Sequence, residues 1–528
     1  MFNRADHFAL PLTVKNEEIQ NLYENLNGFP LFRMQFPINP VTTIRCHGAG
    51  GLLKGMNVKI GSTLLVLSGL APFPLISQDW PMLGGATHRN MVSAMRDLPE
   101  SWDVKSGKNI KWKAQIGSTS YGNPVVADGK IFLGTNNGNP RNPDIQGDKG
   151  VLMCFRESDG KFLWQAVTDK LASGPQNDFP EQGVCSSPAV DGKRLYYVSN
   201  RGELVCLDTE GFLDGKNDGP FQGEVYKGPS DADIVWKLDM MKELGVYQRN
   251  MANSSPVIWE DLVFVETSNG RSDEKVPSPK APSFLAVNKN TGKVVWQDNS
   301  PGDGILRGQW SSPALGLVDG VQQAFFAGGD GWLYGFNART GERLWKFDLN
   351  PKNIAPEDRN YGISTPVFSE GKVLMSAGQD PDSGSGRGAA YSINPAKRGD
   401  ITESGKVWQY EKINRSISTA AVGNGLAFLS DIDGILHCLD VKTGKPYWTF
   451  DLKSPVWGSP LLADGKVYLG NEDGDLAVFR ANSKLEKPSV IDMADSVYST
   501  PVPANGVLFV MTRTQLYAIT TPKREPGK

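Results

Sequence analysis

The sequence predicts an all-β fold, an eight-bladed β-propeller whose blades are four-stranded antiparallel sheets. The first observation behind this prediction is a repeat of eight units, which follow one another at intervals of 40 to 68 residues. The second is that the first six units each end on a tryptophan. The third is that the last unit is one strand short, whereas an unpaired strand precedes the first unit. A seven-bladed ring is the alternative if one unit is irregular.

The shortest unit, from Ser416 to Trp448, shows the pattern with the fewest interruptions. Glycine-containing turns separate its four short apolar runs: Asn424-Gly425, Asp433-Gly434 and Thr443-Gly444. Asn-Gly and Asp-Gly supply the two positive-φ residues that a two-residue hairpin turn requires. Four apolar runs joined in this way predict a four-stranded antiparallel meander. Because one such meander cannot bury both its faces, it implies neighbouring units of the same kind.

Each unit opens with a small polar residue, which is followed by proline in all units but the sixth. The eight openings are Asn123-Pro124, Ser187-Pro188, Ser255-Pro256, Ser312-Pro313, Thr365-Pro366, Thr419-Ala420, Ser459-Pro460 and Thr500-Pro501. An Asp-Gly, Glu-Gly or Asn-Gly turn follows a few residues later in seven units, and the third unit has Glu260-Asp261 in its place. We expect the openings on the innermost strand of each blade, where they would line the central channel.

The ends of the units carry the most specific signal. A small residue, a turn with a glycine, and a tryptophan ten residues after the small residue recur in four stretches: Cys154–Trp164, Ala286–Trp296, Gly335–Trp345 and Cys438–Trp448. Trp236 and Trp408 close two further units after longer inserts, and the seventh unit ends near Val490 without a tryptophan. We interpret the cysteines at this position, and Cys206 at the like position of the second unit, as small buried hydrophobic residues.

The two ends of the repeat predict how the ring closes. An orphan strand, Ile110–Ile116, carries Trp112, and the eighth unit stops after Leu516–Ile519. Pairing these two segments completes the last blade and removes the free sheet edges that an open stack would expose. We therefore expect the N-terminal strand to complete the last blade.

The segment before the repeat predicts an exported protein, either periplasmic or extracellular. Residues 56–77 combine Lys59, an apolar core and Ser77 at a cleavage point, which is the pattern of a secretory signal peptide. We expect Met56 to be the true start and residues 1–55 to be an unstructured extension that arises from start-codon choice. The alternative is a real N-terminal extension followed by one anchor helix, although prolines interrupt the apolar run and it is short for a membrane span.

Composition and charge exclude several classes of function. The formal net charge is −3 and no basic block exceeds a few residues, so no nucleic-acid partner is expected. The five cysteines are scattered without CxxC or CxxCH, so neither a disulfide framework nor haem attachment is predicted. Gln78 stands where a lipobox cysteine would follow the signal, which argues against a lipid anchor. The mature chain, with a lead-in at 78–109, the propeller at 110–521 and a tail at 522–528, is expected to lack a transmembrane span.

In these motifs the chain resembles the pyrroloquinoline-quinone (PQQ) repeat family, which includes the quinoprotein alcohol dehydrogenases and the outer-membrane assembly lipoprotein of the β-barrel machinery. The AxDxxTGxxxW pattern resembles that family's tryptophan-docking motif, and the likeness covers roughly Leu98 to Thr521. Asp79-Trp80-Pro81 with Gly84 resembles exported bacterial members that have no assigned activity. The resemblance implies that seven tryptophans pack between neighbouring blades: Trp112, Trp164, Trp236, Trp296, Trp345, Trp408 and Trp448. It is specific for the fold and not for the function.

The candidate binding site is one mouth of the channel. The residues three positions before each proline position share one face of the innermost strands; they are Tyr121, Cys185, Asn253, Trp310, Ile363, Ile417, Trp457 and Tyr498. The loops just upstream add Arg249, Arg307, Arg359, Tyr361 and Arg415. A mouth ringed with aromatic residues and arginines suits an anionic planar ligand or an acidic peptide, through stacking and bidentate pairing. The alternative is that these side chains fill the ring and satisfy backbone carbonyls.

The resemblance also allows a test for PQQ from the residues. Quinoprotein dehydrogenases hold PQQ with a vicinal disulfide ring, a Ca²⁺ ion bound by acidic and amide side chains, an aspartate base and a tryptophan floor. This chain has no adjacent cysteines. Trp310 or Trp457 are candidates for the floor, and Asp178 and Glu181 are the nearest acidic residues. We therefore predict no catalytic residue, no metal site and no cofactor, with a PQQ- and Ca²⁺-dependent dehydrogenase of an alcohol or sugar as the alternative.

The function predicted from the sequence is binding. We expect an exported propeller that acts as an interaction scaffold for a protein or a small ligand. Its partner specificity would reside in the mouth and in inserts that project from the ring; these are Asn136–Gly150, Glu210–Asp233, Asn269–Ser283 and Gln379–Ala389.

Overall fold

A computed structural model describes residues 78–350, 354–355 and 358–521 of the chain. The segments predicted as N-terminal extension (1–55), signal peptide (56–77) and C-terminal tail (522–528) lie outside the described residues. The described chain forms eight sheets, each with a four-stranded antiparallel core. The predicted eight-bladed β-propeller is therefore confirmed, and the seven-bladed alternative is wrong.

The first four blades follow the chain order of the first four units. Their strands are Val125–Ala127, Lys130–Asn136, Lys149–Arg156 and Phe162–Asp169 in blade 1; Ala189–Asp191, Arg194–Val198, Glu203–Asp208 and Ile234–Asp239 in blade 2; Val257–Trp259, Leu262–Glu266, Phe284–Asn288 and Val294–Asp298 in blade 3; and Ala314–Val318, Val321–Ala327, Trp332–Asn337 and Arg343–Asp348 in blade 4. A short strand, Gly399–Asp400, pairs parallel to the outermost strand of blade 4.

The remaining blades repeat this order until the ring closes. Their strands are Val367–Ser369, Lys372–Ala377, Ala389–Ile393 and Lys406–Tyr410 in blade 5; Ala421–Gly423, Leu426–Ser430, Ile435–Asp440 and Pro446–Asp451 in blade 6; Leu461–Ala463, Lys466–Gly470, Asp475–Arg480 and Ser489–Asp492 in blade 7; and Val502–Ala504, Val507–Met511, Gln515–Ile519 and Ile110–Gln115 in blade 8. The last of these confirms that the N-terminal strand completes the final blade, antiparallel to Gln515–Ile519.

Helical structure is sparse in the described part of the chain. It includes one α-helix, Met240–Leu244, and the short 3₁₀ segments Gly211–Asp214, Gly302–Gly304 and Pro381–Ser383. Across residues 78–350, 354–355 and 358–521, no helix has the length and apolar character needed to cross a membrane.

A small residue faces the tryptophan across the two outer strands of seven blades. The register pairs are Cys154 with Trp164, Cys206 with Trp236, Ala286 with Trp296, Gly335 with Trp345, Ser392 with Trp408, Cys438 with Trp448 and Ala518 with Trp112. The register shifts directly beside each of these pairs, so the outer strand is bulged there. In blade 7 the corresponding pair is Val478 and Ser489, so the outer strand carries a serine where the other blades carry a tryptophan.

Six of these tryptophans join neighbouring blades. Each donates its indole N–H to a backbone carbonyl of the next blade: Trp112 to Glu157, Trp164 to Thr209, Trp236 to Lys289, Trp296 to Ala338, Trp408 to Val441 and Trp448 to Asn482, at 2.8 to 3.2 Å. The glycine of the receiving turn makes room for the ring. A Cβ on Gly160, whose φ is +70°, would come within 2.5 Å of the Trp112 indole, so this position needs glycine for both its backbone and its contact.

Trp345 differs from the other six. Its indole N–H donates to Oε1 of Gln323 in its own blade at 2.8 Å, and Nε2 of Gln323 in turn donates to the carbonyl of Pro395 in blade 5 at 3.3 Å. Counted from Ser392, blade 5 has Lys397-Arg398 where blade 6 has the Thr443-Gly444 turn. The glutamine side chain therefore makes the link that the indole makes elsewhere.

Six hydrogen bonds join seven of the eight small polar openings, all but Thr365, into a belt along the channel. Each bond runs from a backbone N–H to a side-chain oxygen of the adjacent unit: Asn123 to Ser187 (2.8 Å), Ser187 to Ser255 (3.0 Å), Ser255 to Ser312 (2.9 Å), Thr419 to Ser459 (2.9 Å), Ser459 to Thr500 (2.9 Å) and Thr500 to Asn123 (2.8 Å). The last bond joins blade 8 to blade 1. Short polar side chains suit these positions because they reach the next strand without filling the channel.

The lead-in closes one end of the channel. Residues 78–93 reach every blade through backbone and side-chain hydrogen bonds: Trp80 to Val126, Pro81 to Val190, Arg89 to Ser255, Thr87 to Leu315, His88 to Phe368, Asn90 to Val422, Met91 to Leu462 and Gln78 to Asn505. Most of the blade residues in these contacts lie two positions after the proline position of their unit. The lead-in is therefore a cap that ties the ring together at this end, a role that the sequence did not predict.

Arg89 lies at the centre of this cap with no exposed surface. Its guanidinium donates to the carbonyls of Leu83 (2.9 Å), Ser255 (2.7 Å), Pro256 (2.8 Å) and Pro313 (2.8 Å). One side chain thus binds the cap to blades 3 and 4. Because these carbonyls belong to the ends of innermost strands, Arg89 also satisfies acceptors that the ring leaves without a strand partner.

Candidate functional site

A cavity of about 310 Å³ occupies the channel on the side away from the cap. All eight residues predicted for the mouth line it: Tyr121, Cys185, Asn253, Trp310, Ile363, Ile417, Trp457 and Tyr498. Belt residues such as Ser187 and Thr500 lie deeper, and Leu83 of the cap also lines the wall. The cap contacts the innermost strands five residues beyond the mouth positions, so the cavity is open at one end and closed at the other.

Three aromatic rings form one wall of the cavity. The rings of Tyr121 and Tyr498 are nearly parallel, with centroids 5.3 Å apart and planes 8° apart. The Trp457 ring lies 5.7 Å from Tyr121 and 5.2 Å from Tyr498. Glu472 accepts a hydrogen bond from the Trp457 indole at 3.3 Å and from the Tyr498 hydroxyl at 3.1 Å. We call Tyr121, Trp457 and Tyr498 the aromatic cluster, and Glu472 holds two of its members in place.

A separate wall is built around Trp310. Its indole N–H lies 3.1 Å from the carbonyl of Arg249 and 3.2 Å from that of Met251, and both carbonyls belong to the loop before blade 3. The Tyr361 ring packs edge-on against it, with centroids 6.2 Å apart. Trp310 is 7% exposed, so its ring is fixed by the fold and not free to reorient.

The insert of blade 5 reaches the same cavity. Asp380 and Asp382 line it, and Asp380 is 6% exposed whereas Asp382 is exposed. Asp380 accepts a hydrogen bond from the Tyr361 hydroxyl, and Nε of Arg307 lies 2.9 Å from its Oδ2. Arg415 donates to the carbonyl of Ser383 at 2.8 Å and so holds the insert over the channel.

The predicted arginine ring differs from what the structure shows. None of Arg249, Arg307, Arg359 and Arg415, nor Tyr361, is among the residues that line the cavity in the described chain. Arg249 pairs with Asp273 at 3.1 Å, and Arg359 pairs with Asp348 at 3.0 Å. Carboxylates and carbonyls of the inserts and of blade 4 bind these side chains, so the arginines support the loops and leave the wall to other residues. An anionic ligand would therefore not meet the arginines that the sequence placed at the mouth.

Burial controls the protonation of the polar groups in the cavity. It raises the pKa of the Cys185 thiol to about 12, so the thiol is protonated at neutral pH and is a poor nucleophile or metal ligand. Burial also raises the pKa of the Tyr121 hydroxyl well above its usual range. The wall is therefore neutral apart from its two aspartates.

The residues present do not fit the donor set that holds PQQ with Ca²⁺. No group of three or more His, Cys, Asp or Glu side chains within the described ranges is arranged to hold a metal ion. Asp178 is bound to Lys170 and accepts from Asn200 at 2.8 Å, and Glu181 does not line the cavity. Trp457 is part of the aromatic cluster, and Trp310 stands against the loop before blade 3.

Sequence reasoning missed the residues that support the mouth. Glu472 lies in the turn after the second strand of blade 7, and its side chain meets the mouth only because blades 7 and 8 are neighbours. Asp380 and Asp382 belong to an insert whose direction the repeat does not encode. Phe179 and Asn250, which also line the cavity, come from loops of blades 1 and 3 that meet through a hydrogen bond from the Phe179 N–H to the Asn250 carbonyl at 2.7 Å.

Comparison with known proteins places this fold among PQQ-type propellers. A relative from Yersinia pestis, outer membrane protein assembly factor BamB, is 23% identical over 257 residues, which cover 44% of this chain and 58% of that protein. Lupanine 17-hydroxylase [cytochrome c] from a Pseudomonas species is 22% identical over 514 residues, covering 74% of this chain and 72% of that protein. The chain thus spans little more than half the length of the assembly factor it matches.

A solved structure agrees with these relatives in fold. Quinohemoprotein alcohol dehydrogenase from Comamonas testosteroni superposes with a TM-score of 0.58 at 13% identity, covering 85% of this chain and 82% of that one. The family model described as outer membrane protein assembly factor BamB matches residues 222–400 and 386–487, which together span 266 of the 528 residues. The protein therefore belongs to the PQQ-repeat propeller family to which that model corresponds.

Proposed function

We propose that the protein is an exported binding propeller that holds a small ligand, or one side chain of a protein partner, in the cavity at its open mouth. The observation that carries this proposal is the aromatic cluster, which forms one wall of a cavity closed by the cap at its far end. Rigid aromatic side chains supply large contact areas and stack on flat groups. The cavity volume of about 310 Å³ lies at the lower end of small-molecule sites, which are on the order of 300–1,000 Å³.

The walls of the cavity are preorganised. This favours a binding site over the alternative that the side chains only fill the channel. Glu472 holds Trp457 and Tyr498, and the belt fixes the strands on which the wall residues stand. A site that is already ordered loses less conformational freedom when a ligand enters, so less of the interaction free energy is spent on ordering. Side chains that merely filled the channel would leave no cavity between them.

Export is part of the proposal and rests on residues 56–77, which carry the signal-peptide pattern and lie outside the described residues. Mass spectrometry of the natural protein tests it. We expect an N-terminus at or near Gln78, because the described fold uses Gln78 and Asp79 in contacts with Asn505. A peptide from within residues 1–55 recovered from cells would contradict the start at Met56.

The rival function, a quinone-dependent dehydrogenase, is favoured by the relatives named as dehydrogenases and hydroxylases. It is tested by titrating the purified protein with PQQ and Ca²⁺, followed by quinone absorbance and tryptophan quenching. We expect no saturable, Ca²⁺-dependent binding, because no three His, Cys, Asp or Glu side chains of the described residues are arranged to hold the ion. Saturable binding that requires Ca²⁺ would favour the dehydrogenase, and a screen of alcohols and sugars would follow.

The binding function itself is tested by thermal stabilisation. A ligand that binds only the folded state stabilises it by RT ln(1 + c/Kd) at free ligand concentration c, so the melting temperature rises with the logarithm of the ligand concentration. We expect at least one member of a set of organic cations, anions and neutral aromatic compounds to stabilise the wild type. Trp457→Leu, in the aromatic cluster, should lose that shift, whereas Trp332→Leu, outside the cavity, should keep it. A set that stabilises no variant, or all variants equally, would contradict a binding site at the mouth.

A further inference from the structure

The charge of the cavity wall is negative. Among its lining residues Asp380 and Asp382 are the charged side chains, and no Lys, Arg or His belongs to the lining within the described chain. Glu472 adds a third carboxylate behind the aromatic cluster. Arg307 lies 2.9 Å from Asp380, and Arg513 lies over the Tyr498 ring with its guanidinium carbon 5.9 Å from the centroid, but neither arginine lines the cavity. A ligand that enters the mouth therefore meets carboxylates on the surface it contacts.

The wall also holds buried acceptors that lack a donor. Oδ1 of Asp380 is buried and has no hydrogen-bond partner, and Oδ1 of Asn253, across the cavity lining, is in the same condition. A buried acceptor without a donor is unfavourable, the more so when it belongs to a carboxylate. N–H donors of a ligand suit acceptors of this kind, whereas a ligand with acceptors alone offers them no hydrogen bond.

The aromatic cluster favours the same kind of ligand. The faces of tryptophan and tyrosine rings attract cations through their quadrupoles. Trp457 and Tyr498 both donate to Glu472, and a hydrogen bond to a carboxylate increases the electron density of the donating ring. The position of Arg513 over Tyr498 shows a guanidinium on one of these rings within the chain itself.

We infer that the cavity selects an organic cation that donates N–H hydrogen bonds, and that a guanidinium group fits it best. This inference rests on the proposed binding function and specifies its ligand. A guanidinium is flat, stacks on aromatic faces and forms paired hydrogen bonds to a carboxylate. Its flat face suits the aromatic cluster, and its N–H groups suit acceptors such as those of Asp380 and Asn253. The ligand charge is the opposite of the one expected from the sequence, because the arginines of the loops face away from the wall.

The guanidinium can come from two sources, a free small molecule or an arginine side chain on a peptide segment of a partner protein. The open mouth and the exposed carboxylate of Asp382 suit either source. Agmatine and a Gly-Arg-Gly peptide separate them. Equal affinities assign the site to the free cation, and clearly tighter binding of the peptide assigns it to an arginine of a partner.

Calorimetric titration of the purified protein tests the ligand class. The probes are N-acetyl-argininamide, its citrulline isostere, in which a neutral urea replaces the guanidinium, and the corresponding glutamate derivative. We expect the arginine compound to bind and the glutamate compound not to bind. The citrulline compound should bind with an affinity at least about tenfold lower than that of the arginine compound. Asp382→Asn should reduce the preference for arginine over citrulline, whereas Asp303→Asn, an exposed aspartate that does not line the cavity, should leave it unchanged.

Two results would overturn the inference while leaving the proposed function standing. One is binding of the citrulline or glutamate compound as tightly as the arginine compound, with loss of that binding in Trp457→Leu. The other is absence of arginine binding at millimolar concentration while a different compound stabilises the protein in a Trp457-dependent manner. If no compound of any charge depends on Trp457, the proposed function fails together with the inference.

Discussion

The backbone N–H of Thr500 donates a hydrogen bond to the side-chain carbonyl of Asn123 at 2.8 Å, across 377 residues of sequence. This contact joins the last blade to the first on the channel side. On the outer side the same two blades are joined by the Trp112 indole, which donates to the carbonyl of Glu157 at 3.0 Å. The ring is therefore closed twice, by a small polar side chain inside and by a tryptophan outside, and the two classes of repeat residue have distinct mechanical roles.

Asn123→Ala is expected to lower the stability of the ring by about 1–3 kcal/mol, because the buried N–H of Thr500 loses its acceptor. The shift of the urea or thermal midpoint measures this loss. Asn290→Ala, at an exposed turn position, is the control and should change stability by no more than about 0.5 kcal/mol. Equal midpoints for the two variants would show that the belt does not contribute to closure.

The contact between glycine and tryptophan can be separated from the backbone requirement for glycine. Gly160 and Gly129 have nearly equal φ values, +70° and +71°, but a Cβ at Gly160 would lie 2.5 Å from the Trp112 ring while one at Gly129 would meet nothing within 4 Å. Gly129→Ala should therefore lose only the backbone term, about 1–2 kcal/mol. Gly160→Ala should lose about 1–3 kcal/mol more through overpacking. Matched melting curves test this, and equal losses would mean that the indole moves aside freely.

The parts of the fold that repeat could be predicted from the sequence, and the parts that occur once could not. Turn glycines, openings and terminal tryptophans recur, so their shared position along each unit indicates a shared position in the ring. The mouth residues followed from the same argument, because residues three before each proline position must face the same way. The structure brings all eight to one cavity.

The cap and the arginines show where such reasoning ends. Arg89 binds four backbone carbonyls, and no residue pattern marks a carbonyl as a partner. Arg249 lies at the expected place in its loop, but its direction is set by Asp273 in an insert that has no counterpart in other units. Side-chain direction at the mouth thus depends on contacts between inserts, which the repeat does not determine.

Replacing Arg89 tests whether the cap stabilises the ring. Arg89→Met keeps much of the side-chain volume but leaves four buried carbonyls without their donor, and we expect a loss of about 3–5 kcal/mol. Arg96→Met, at an exposed position of the same lead-in, should change the stability by less than about 0.5 kcal/mol. A small effect of Arg89→Met in chemical denaturation would show that the lead-in rests on the ring without supporting it.

A buried carboxyl in blade 3 should make the stability depend on pH. The carboxyl of Glu266 is buried, and burial raises its pKa well above its usual range. Burial likewise raises the pKa of Asp330, in the neighbouring blade, to about 6. Between the ordinary carboxyl pKa of the unfolded chain and the raised pKa of the folded state, the folded protein holds protons that the unfolded chain has released. The free energy of unfolding is therefore highest at the low-pH end of this range and falls as the pH rises towards the folded-state pKa values.

Glu266→Gln removes one of the groups that hold a proton only in the folded state, because the amide is neutral at every pH. We expect the variant to lose less stability than the wild type between about pH 5 and about pH 8, because it does not need to ionise a buried group. Glu342→Gln, at an exposed position, should follow the wild-type curve. Thermal midpoints measured across this range decide the matter. Parallel curves for wild type and Glu266→Gln would mean that the carboxyl is ionised in the folded protein at little cost, with a donor that reaches it from solvent.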